Sequence, residues 1–378
     1  MISVRSALRK SNGAIRLLEA HDRSSTKAIR DTNCTDGTYF EGIWISGLTQ
    51  TTYLGIPDTE IVSPLYRAIL QATTIKTLWP SDRTICAAFD ADSGGPLSDI
   101  PALVAVLVTV GVSMVVIEDK ELKAPGKKVN SLLTANGSQP QADLAEFCKT
   151  IQTFKECTQC SDLMVTARIE SFNVRITKDD PVEEAASIKA SLEDALSRAE
   201  IYTKAGADAI MIHSKSESPT EVLEFLKRFR ERDQVTPLVI VPTTYSTTPR
   251  ETLIDAGANV IIYANHLMRV KIKAVEEVMG YSCSSTPALF AGDKEAAACA
   301  EAGNYGCLMR ILLEKDLEVE KDFEIRNFVQ QARQLIESRM NNVAGALVMG
   351  TQSGCEADFY MISVEELLKI NSIQVSIV

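Results

Sequence analysis

Hydrophobic residues along this chain fall into short, β-branched runs separated by longer stretches of helical period. Eight runs are predicted as strands: Ala14–Glu19, Ile43–Ser46, Ile85–Asp90, Val112–Glu118, Leu163–Ile169, Ala209–His213, Pro237–Pro242 and Asn259–Tyr263. Their interiors are almost wholly apolar, which fits parallel strands buried on both faces rather than a half-solvated sheet. Helical patterns cover Ile61–Ala72, Asp99–Val110, Ala142–Thr153, Ser187–Lys204, Pro219–Arg232, Pro249–Asp255 and Leu267–Met279. Ser218-Pro219-Thr220-Glu221 has the form of a capping box with Pro at the first helical position. Gly111, Gly206 and Gly257 each stand just ahead of a strand, where a left-handed helix terminus is expected. Eight β/α units predict an α/β fold, a (β/α)8 barrel of the TIM type.

Such a barrel mounts its chemistry at the carboxyl ends of the strands. Those ends offer Glu19 and His21, Trp44 and Ser46, Asp90 and Asp92, Glu118, Arg168 and Glu170, His213 and Ser214, Thr243, and Asn265 with His266. All three histidines of the chain are among them. Asp90, Asp92 and Glu118 close neighbouring strands and supply hard oxygen ligands suited to Mg²⁺, which keeps several waters and leaves room for substrate oxygens. Any one of these acids alone could equally cap the following helix, and any one histidine could cap a loop.

Composition narrows the class. At 378 residues the chain exceeds a single ordinary core, so one main domain with an appendage is expected. A net charge of −11 argues against nucleic acid or an anionic membrane as principal partner. No run approaches the roughly 18 apolar residues of a membrane span. The first residues lack the apolar core of a signal peptide, which points to the cytoplasm. Nine scattered cysteines, an odd count, read as reduced thiols. Cys157-Thr-Gln-Cys160 has no second pair beside it and is too little for a zinc site. The sequons at Asn33 and Asn136 mean little in an unsecreted protein.

Taken together and in order, Glu19-Ala-His21, Gly42-Ile-Trp-Ile-Ser-Gly-Leu48, Leu54-Gly-Ile-Pro-Asp58, Asp90-Ala-Asp92, Glu118-Asp-Lys120, Lys128-Val-Asn-Ser131, Ala167-Arg-Ile-Glu170, the run Gly206–Lys215, Ile240-Val-Pro-Thr243 and Ala264-Asn-His266 resemble the phosphoenolpyruvate mutase family of the isocitrate lyase superfamily. The likeness spans about residues 12–280. It implies a barrel whose last helix is exchanged with a neighbouring subunit of a homo-oligomer, a Mg²⁺ cofactor, and interconversion of phosphoenolpyruvate with phosphonopyruvate. That reaction makes the carbon–phosphorus bond that opens phosphonate biosynthesis, and it implies an enzyme that consumes phosphonopyruvate as pathway partner.

The resemblance also assigns roles. Asp90, Asp92 and Glu118 would hold Mg²⁺ against the substrate's carboxylate and enolate oxygens. Backbone N–H groups around Ser46, Gly47 and Leu48 would bind the same end, with Gly47 allowing close approach. Arg168 and His213, with Ser214 beside them, would clamp the phosphoryl group. Asp58 falls to the outer metal shell, and Trp44 to a packing wall. The segment Glu121–Ser131 reads as a lid carrying Lys128, Asn130 and Ser131 in the family's K-x-N-S pattern, which would close over substrate and exclude water.

Departures from the family are equally specific. The lid is about four residues longer than the usual pattern, and Ser93-Gly94-Gly95-Pro96 replaces the customary Thr-Gly-Tyr-Gly. The domain expectation is a catalytic barrel over 1–283 and a helical extension over 284–378, packed on the barrel or a subunit interface. Within the extension, Phe323, Ile325, Phe328, Val329, Ala332, Leu335, Ile336 and Met340 trace an amphipathic helix, and Ser363–Leu367 again resembles the family. Three other functions compete. A phosphonopyruvate hydrolase would share nearly all these residues, but in the family it carries Thr in place of the lid Asn. Isocitrate-type carbon–carbon lyases carry a lid Cys, and no Cys occurs between Cys86 and Cys148. A non-catalytic scaffold is disfavoured by retention of every charged site position.

Overall fold

The computed structural model describes residues 1–34, 36–56, 58–79, 83, 85–121 and 140–272. All eight expected strands form: β1 Ile15–Glu19, β2 Gly42–Ile45, β3 Cys86–Asp90, β4 Met114–Glu118, β5 Met164–Ile169, β6 Ala209–Ile212, β7 Leu238–Ile240 and β8 Val260–Tyr263. Each pairs in parallel with the next, and β8 closes on β1 with Leu17 opposite Ile262.

Side chains alternate across each strand. Leu17, Trp44, Ala88, Val116, Met164, Met211, Val239 and Ile262 share one buried cluster inside the ring. The intervening residues, such as Ile43, Phe89, Ile117 and Ala167, are as deeply buried and pack outward under the helices. The near-continuous apolar runs of the sequence follow from this double burial.

A helix that the pattern does not announce, Val4–Lys10, plugs the amino end of the barrel. Val4 and Ala7 join the interior cluster. The Val4 N–H donates to Ser113 Oγ at 3.0 Å, and the Ile2 N–H donates to the Ile85 carbonyl at 3.2 Å.

Gly111, Gly206 and Gly257 take the expected left-handed conformation, with φ of +87°, +112° and +114°. At Gly257 a Cβ would also stand 2.6 Å from Arg230 Cγ, so only glycine fits there. Two helix expectations are corrected. The pattern over Ile61–Ala72 resolves into Pro64–Leu70 and Ala72–Lys76, because Gln71 leaves the helical region at φ −91°, ψ 2°. The capping box at Ser218 does not form: Pro219 itself is the N-cap of the helix Thr220–Arg230. Its intended partner, the Glu221 carboxylate, is engaged by Arg175 at 2.7 Å and by Ser214.

The barrel belongs to a compact unit running Met1–Met268. The expected helix Leu267–Met279 is described as far as residue 272. The boundary at 283 and the extension 284–378 lie outside the described residues. No helix among the described residues is long and apolar enough to cross a membrane.

Candidate active site

The inward-facing register of the strands stops being apolar at their carboxyl ends. Two residues beyond Ala88, Val116 and Met211, with the same parity, stand Asp90, Glu118 and His213, and Arg168 lies four beyond Met164. All four line one cleft, open to solvent, whose wall also includes Trp44, Ser46, Leu48, Asp58, Lys120, Thr243 and Asn265.

Register brings the charges together. Glu118 on β4 is directly opposite Arg168 on β5. Arg168 Nη1 stands 3.1 Å from Glu118 Oε2, and its Nε 2.5 Å from Glu170 Oε1. Lys120 Nζ lies 3.6 Å from Glu118 and 3.8 Å from Glu170. Two carboxylates and two cations thus alternate around a closed ring, in which each charge has two opposite neighbours. Burial works against the Arg168 charge, but Glu170 and Glu118 outweigh it and hold its pKa above the usual arginine value. Burial likewise opposes the Glu170 charge, and Arg168 and Lys120 still hold that carboxyl below its ordinary range.

At His213 the same carboxylates, Glu170 and Glu118, are outweighed. Burial, reinforced by Arg168, pushes its imidazole down to about 4, so it is neutral near pH 7. It can therefore offer a hydrogen bond but no positive charge.

The three acids expected to share a metal ion part company. Asp90 and Glu118 line the cleft and Asp92 does not. Asp92 is buried, in a left-handed conformation at φ +49°, with its carboxylate on the guanidinium of Arg67. Arg67 Nη2 also donates to the Asp90 carbonyl at 2.8 Å. Among the described residues, no three His, Cys, Asp or Glu side chains are grouped closely enough to cage a metal ion. Asp90 and Glu118, with Asp58 on the same wall, nevertheless make a set of hard oxygen donors. That set fits an ion such as Mg²⁺, which is commonly held by one or two carboxylates and keeps several waters.

The other expected residues divide in the same way. Trp44 is a buried wall of the cleft. Ser46 and Leu48 line it, although Ser46 is also the N-cap of the helix Gly47–Tyr53. The Gly47 N–H, expected to face a ligand, instead donates to Asp90 Oδ2 at 3.0 Å. A Cβ at Gly47 would come within 3.1 Å of the Asp92 carboxylate and 3.2 Å of the Asp90 carboxylate, so the close approach that glycine permits here is to the acids. Ser214 is turned away from the cleft and donates to Glu221.

Of the histidines, only His213 belongs to the wall. His21 Nδ1 is 2.7 Å from Glu19 Oε1, while Glu19 Oε2 accepts the Met268 N–H at 2.9 Å, so this pair ties β1 to the segment after β8. His266 is exposed and packs edge-on against Tyr263.

Lys128, Asn130 and Ser131 lie outside the described residues. The two ends of their segment are described, and they meet beside the cleft. Lys120 bridges Gln141 in antiparallel fashion, the Glu121 N–H donates to the Pro140 carbonyl at 2.9 Å, and Gln141 Nε2 donates to Asp119 Oδ2 at 2.8 Å.

Sequence reasoning passed over Lys120 and Arg67 as site residues. Lys120 had a signal, since it follows Glu118 at the next inward position. Arg67 had a fainter one, a lone cation between Leu65 and Ala68 on the buried face of its helix.

The family model described as phosphoenolpyruvate phosphomutase matches residues 4–281. A phosphoenolpyruvate phosphomutase of Tetrahymena pyriformis is 35% identical over 263 residues, covering 69% of this chain and 76% of the relative. A phosphonopyruvate hydrolase of a Variovorax strain is 30% identical over 249 residues, covering 63% of this chain and 74% of the relative. Among solved structures, phosphoenolpyruvate phosphomutase from Streptomyces platensis subsp. rosaceus superposes with a TM-score of 0.62 at 30% identity, covering 84% of this chain and 98% of that one.

Proposed function

Since the chain belongs to the phosphoenolpyruvate phosphomutase family, we propose that it is an isomerase that interconverts phosphoenolpyruvate and phosphonopyruvate. The observation that carries this reading is the convergence of Asp90, Glu118, Lys120, Arg168 and His213 in one cleft. They combine oxygen donors that would hold a metal ion with cations for a migrating phosphoryl group.

From phosphonopyruvate, the carbon–phosphorus bond breaks and its electrons become those of the pyruvate enolate. Phosphorus is then captured by the enolate oxygen, so atoms and electrons balance without water or a redox partner. When bound at Asp90 and Glu118, Mg²⁺ would supply Lewis-acid stabilisation of the enolate and fix its orientation. Asp58, on the same wall, would serve the outer shell of that ion. Asp92 supports the site indirectly, by holding Arg67 against the loop that carries Asp90.

Arg168 is aimed into the cleft by Glu170 and Glu118 before substrate arrives. Such preorganised charge needs no reorientation when negative charge spreads over the phosphoryl oxygens. Lys120 adds a second cation on the same side. His213 is neutral and donates an N–H to the phosphoryl group, without pinning it by charge to one position. Trp44 and Leu48 wall the reacting carbon from water. By the family's K-x-N-S pattern, Lys128, Asn130 and Ser131 would complete the enclosure as a lid, with Asn130 the partner of the phosphoryl oxygens. Exclusion of water separates this reaction from hydrolysis.

A phosphonopyruvate hydrolase would use the same cleft, but Asn130 rather than Thr favours the mutase. The proposal takes a homo-oligomer as the working form and a phosphonopyruvate-consuming enzyme as metabolic partner. Purified protein given phosphonopyruvate and Mg²⁺ should generate phosphoenolpyruvate, read continuously through pyruvate kinase and lactate dehydrogenase with ADP and NADH. A signal that appears equally without pyruvate kinase would mean that pyruvate is formed directly, against the mutase reading.

A further inference from the structure

The cleft has two chemically different arcs. Asp90, Glu118, Lys120 and Arg168 come from β3 to β5 and the turns that follow them, and every one is charged. The strands β6, β7 and β8, consecutive neighbours in the ring, contribute His213, Thr243 and Asn265 just past their carboxyl ends, beside apolar Met211, Val241 and Ala264. No Asp, Glu, Lys or Arg lines that arc among the described residues.

Each of these three residues also carries a buried polar atom without a hydrogen-bond partner: His213 Nδ1, Thr243 Oγ1 and Asn265 Oδ1. Buried polar atoms are nearly always paired, so three unpaired ones on adjacent strand ends of one cleft point to a ligand that pairs them. All three side chains can donate. A neutral imidazole donates through one nitrogen, a threonine hydroxyl donates and accepts, and an asparagine amide with nothing to fix its orientation can present its NH₂ as readily as its oxygen.

We propose that Thr243 and Asn265, together with His213, form a neutral hydrogen-bonding subsite for the tetrahedral oxyanion of the substrate, complementing the cations Arg168 and Lys120, while Asp90 and Glu118 serve its carboxylate and enolate end. This rests on the function proposed above and assigns Thr243 and Asn265 as binding residues for that reaction. Neutral donors suit a group that must change bonding partner in place. They stabilise charge spread over peripheral oxygens, yet exert less pull towards any single position than an ion pair would.

The test uses the full-length protein with Mg²⁺ and two ligands: phosphonopyruvate, and oxalate as a planar dianion with no tetrahedral group. Thr243→Val and Asn265→Leu should each lower kcat/KM for phosphonopyruvate on the order of tenfold to a hundredfold, the effect of losing one hydrogen bond to a charged group. Calorimetric affinity for oxalate should stay at the wild-type value, which also shows that each variant is folded. Thr243→Ser, which keeps the hydroxyl, should recover most of the lost kcat/KM.

Unchanged kcat/KM in both variants, in an enzyme whose wild type converts phosphonopyruvate, would overturn the subsite and leave the function standing. Oxalate affinity that falls in step with kcat/KM would overturn it too, because the residues would then support the site as a whole. A wild type that binds oxalate but neither binds nor converts phosphonopyruvate would reject the functional reading itself, and the subsite with it.

Discussion

Arg67 is buried against Asp92, and through that pair the helix Pro64–Leu70 is locked to the loop that leaves β3. Burial alone would push the Arg67 guanidinium down, yet Asp92 and Asp90 hold it above the ordinary arginine value. Asp92→Ala would therefore leave a buried cation without its main partner and should cost about 3–5 kcal/mol of stability. Asp90→Ala removes the acceptor of the Gly47 N–H, a loss of about 1–2 kcal/mol, but should abolish Mg²⁺ binding and turnover. Urea melts and Mg²⁺ titration calorimetry of both variants check this. Equal destabilisation with equal metal loss would mean that the two acids share one role.

That division could not be read from sequence. Asp90 and Asp92 are two residues apart at a strand end, and alternation alone would put both inside. The strand has ended by Asp92, whose left-handed backbone breaks the alternation, and Arg67 comes from a distant helix. What was legible follows from double burial. Strands apolar on both faces announced the barrel, and the polar residues at their carboxyl ends announced Asp90, Glu118, Arg168 and His213. What was not legible depended on contacts between segments far apart in the chain. Glu221 left its capping box for Arg175 and Ser214, Ser214 left the cleft for Glu221, and Val4–Lys10 is too short to reveal by periodicity that it plugs the barrel.

His213 should show no titration near its ordinary value. With its folded pKa lowered to about 4, it stays neutral through the neutral range. The unfolded chain, near 6.5, binds more protons between those values. Its contribution to stability is thus full above about pH 6.5 and is lost as pH falls towards 4. Nitrogen-15 NMR of the imidazole in the free protein should report the neutral form from pH 8 down to about 5.5. A midpoint near 6.5 would contradict the described environment.

Asp119 ties together the two described ends of the segment expected to form the lid. Its Oδ2 accepts hydrogen bonds from Gln141 Nε2 at 2.8 Å and the Tyr202 hydroxyl at 2.7 Å, with Arg198 at 3.3 Å, and its Oδ1 accepts the Glu170 N–H at 2.8 Å. Asp119→Ala should strand these donors and lower stability by about 3 kcal/mol. It should also reduce kcat, because Lys120 and the Gln141 end of the segment lose a shared anchor. Full activity in a variant destabilised by that amount would separate Asp119 from the site.

Asn130 decides between transfer and hydrolysis in the proposed mechanism. Asn130→Thr exchanges an amide for a shorter hydroxyl that tolerates a nearby water, and should lose mutase activity while gaining phosphate release. Loss of one donor to developing charge corresponds to about 3 kcal/mol, or on the order of a hundredfold in rate. Asn130→Ala should be damaged at least as much. A fully active Asn130→Ala mutase would remove this residue from the mechanism.

The central claim is that phosphorus passes between carbon and oxygen of one molecule without meeting water. ³¹P NMR of the wild-type protein with phosphonopyruvate and Mg²⁺ in ¹⁸O-enriched water tests it most directly. The account predicts that the phosphonate resonance gives way to that of phosphoenolpyruvate with little inorganic phosphate, that any ¹⁸O is confined to the bridging oxygen, which the substrate's ketone exchanges with water beforehand, and that excess EDTA stops the change. Inorganic phosphate carrying ¹⁸O as the main product would contradict it.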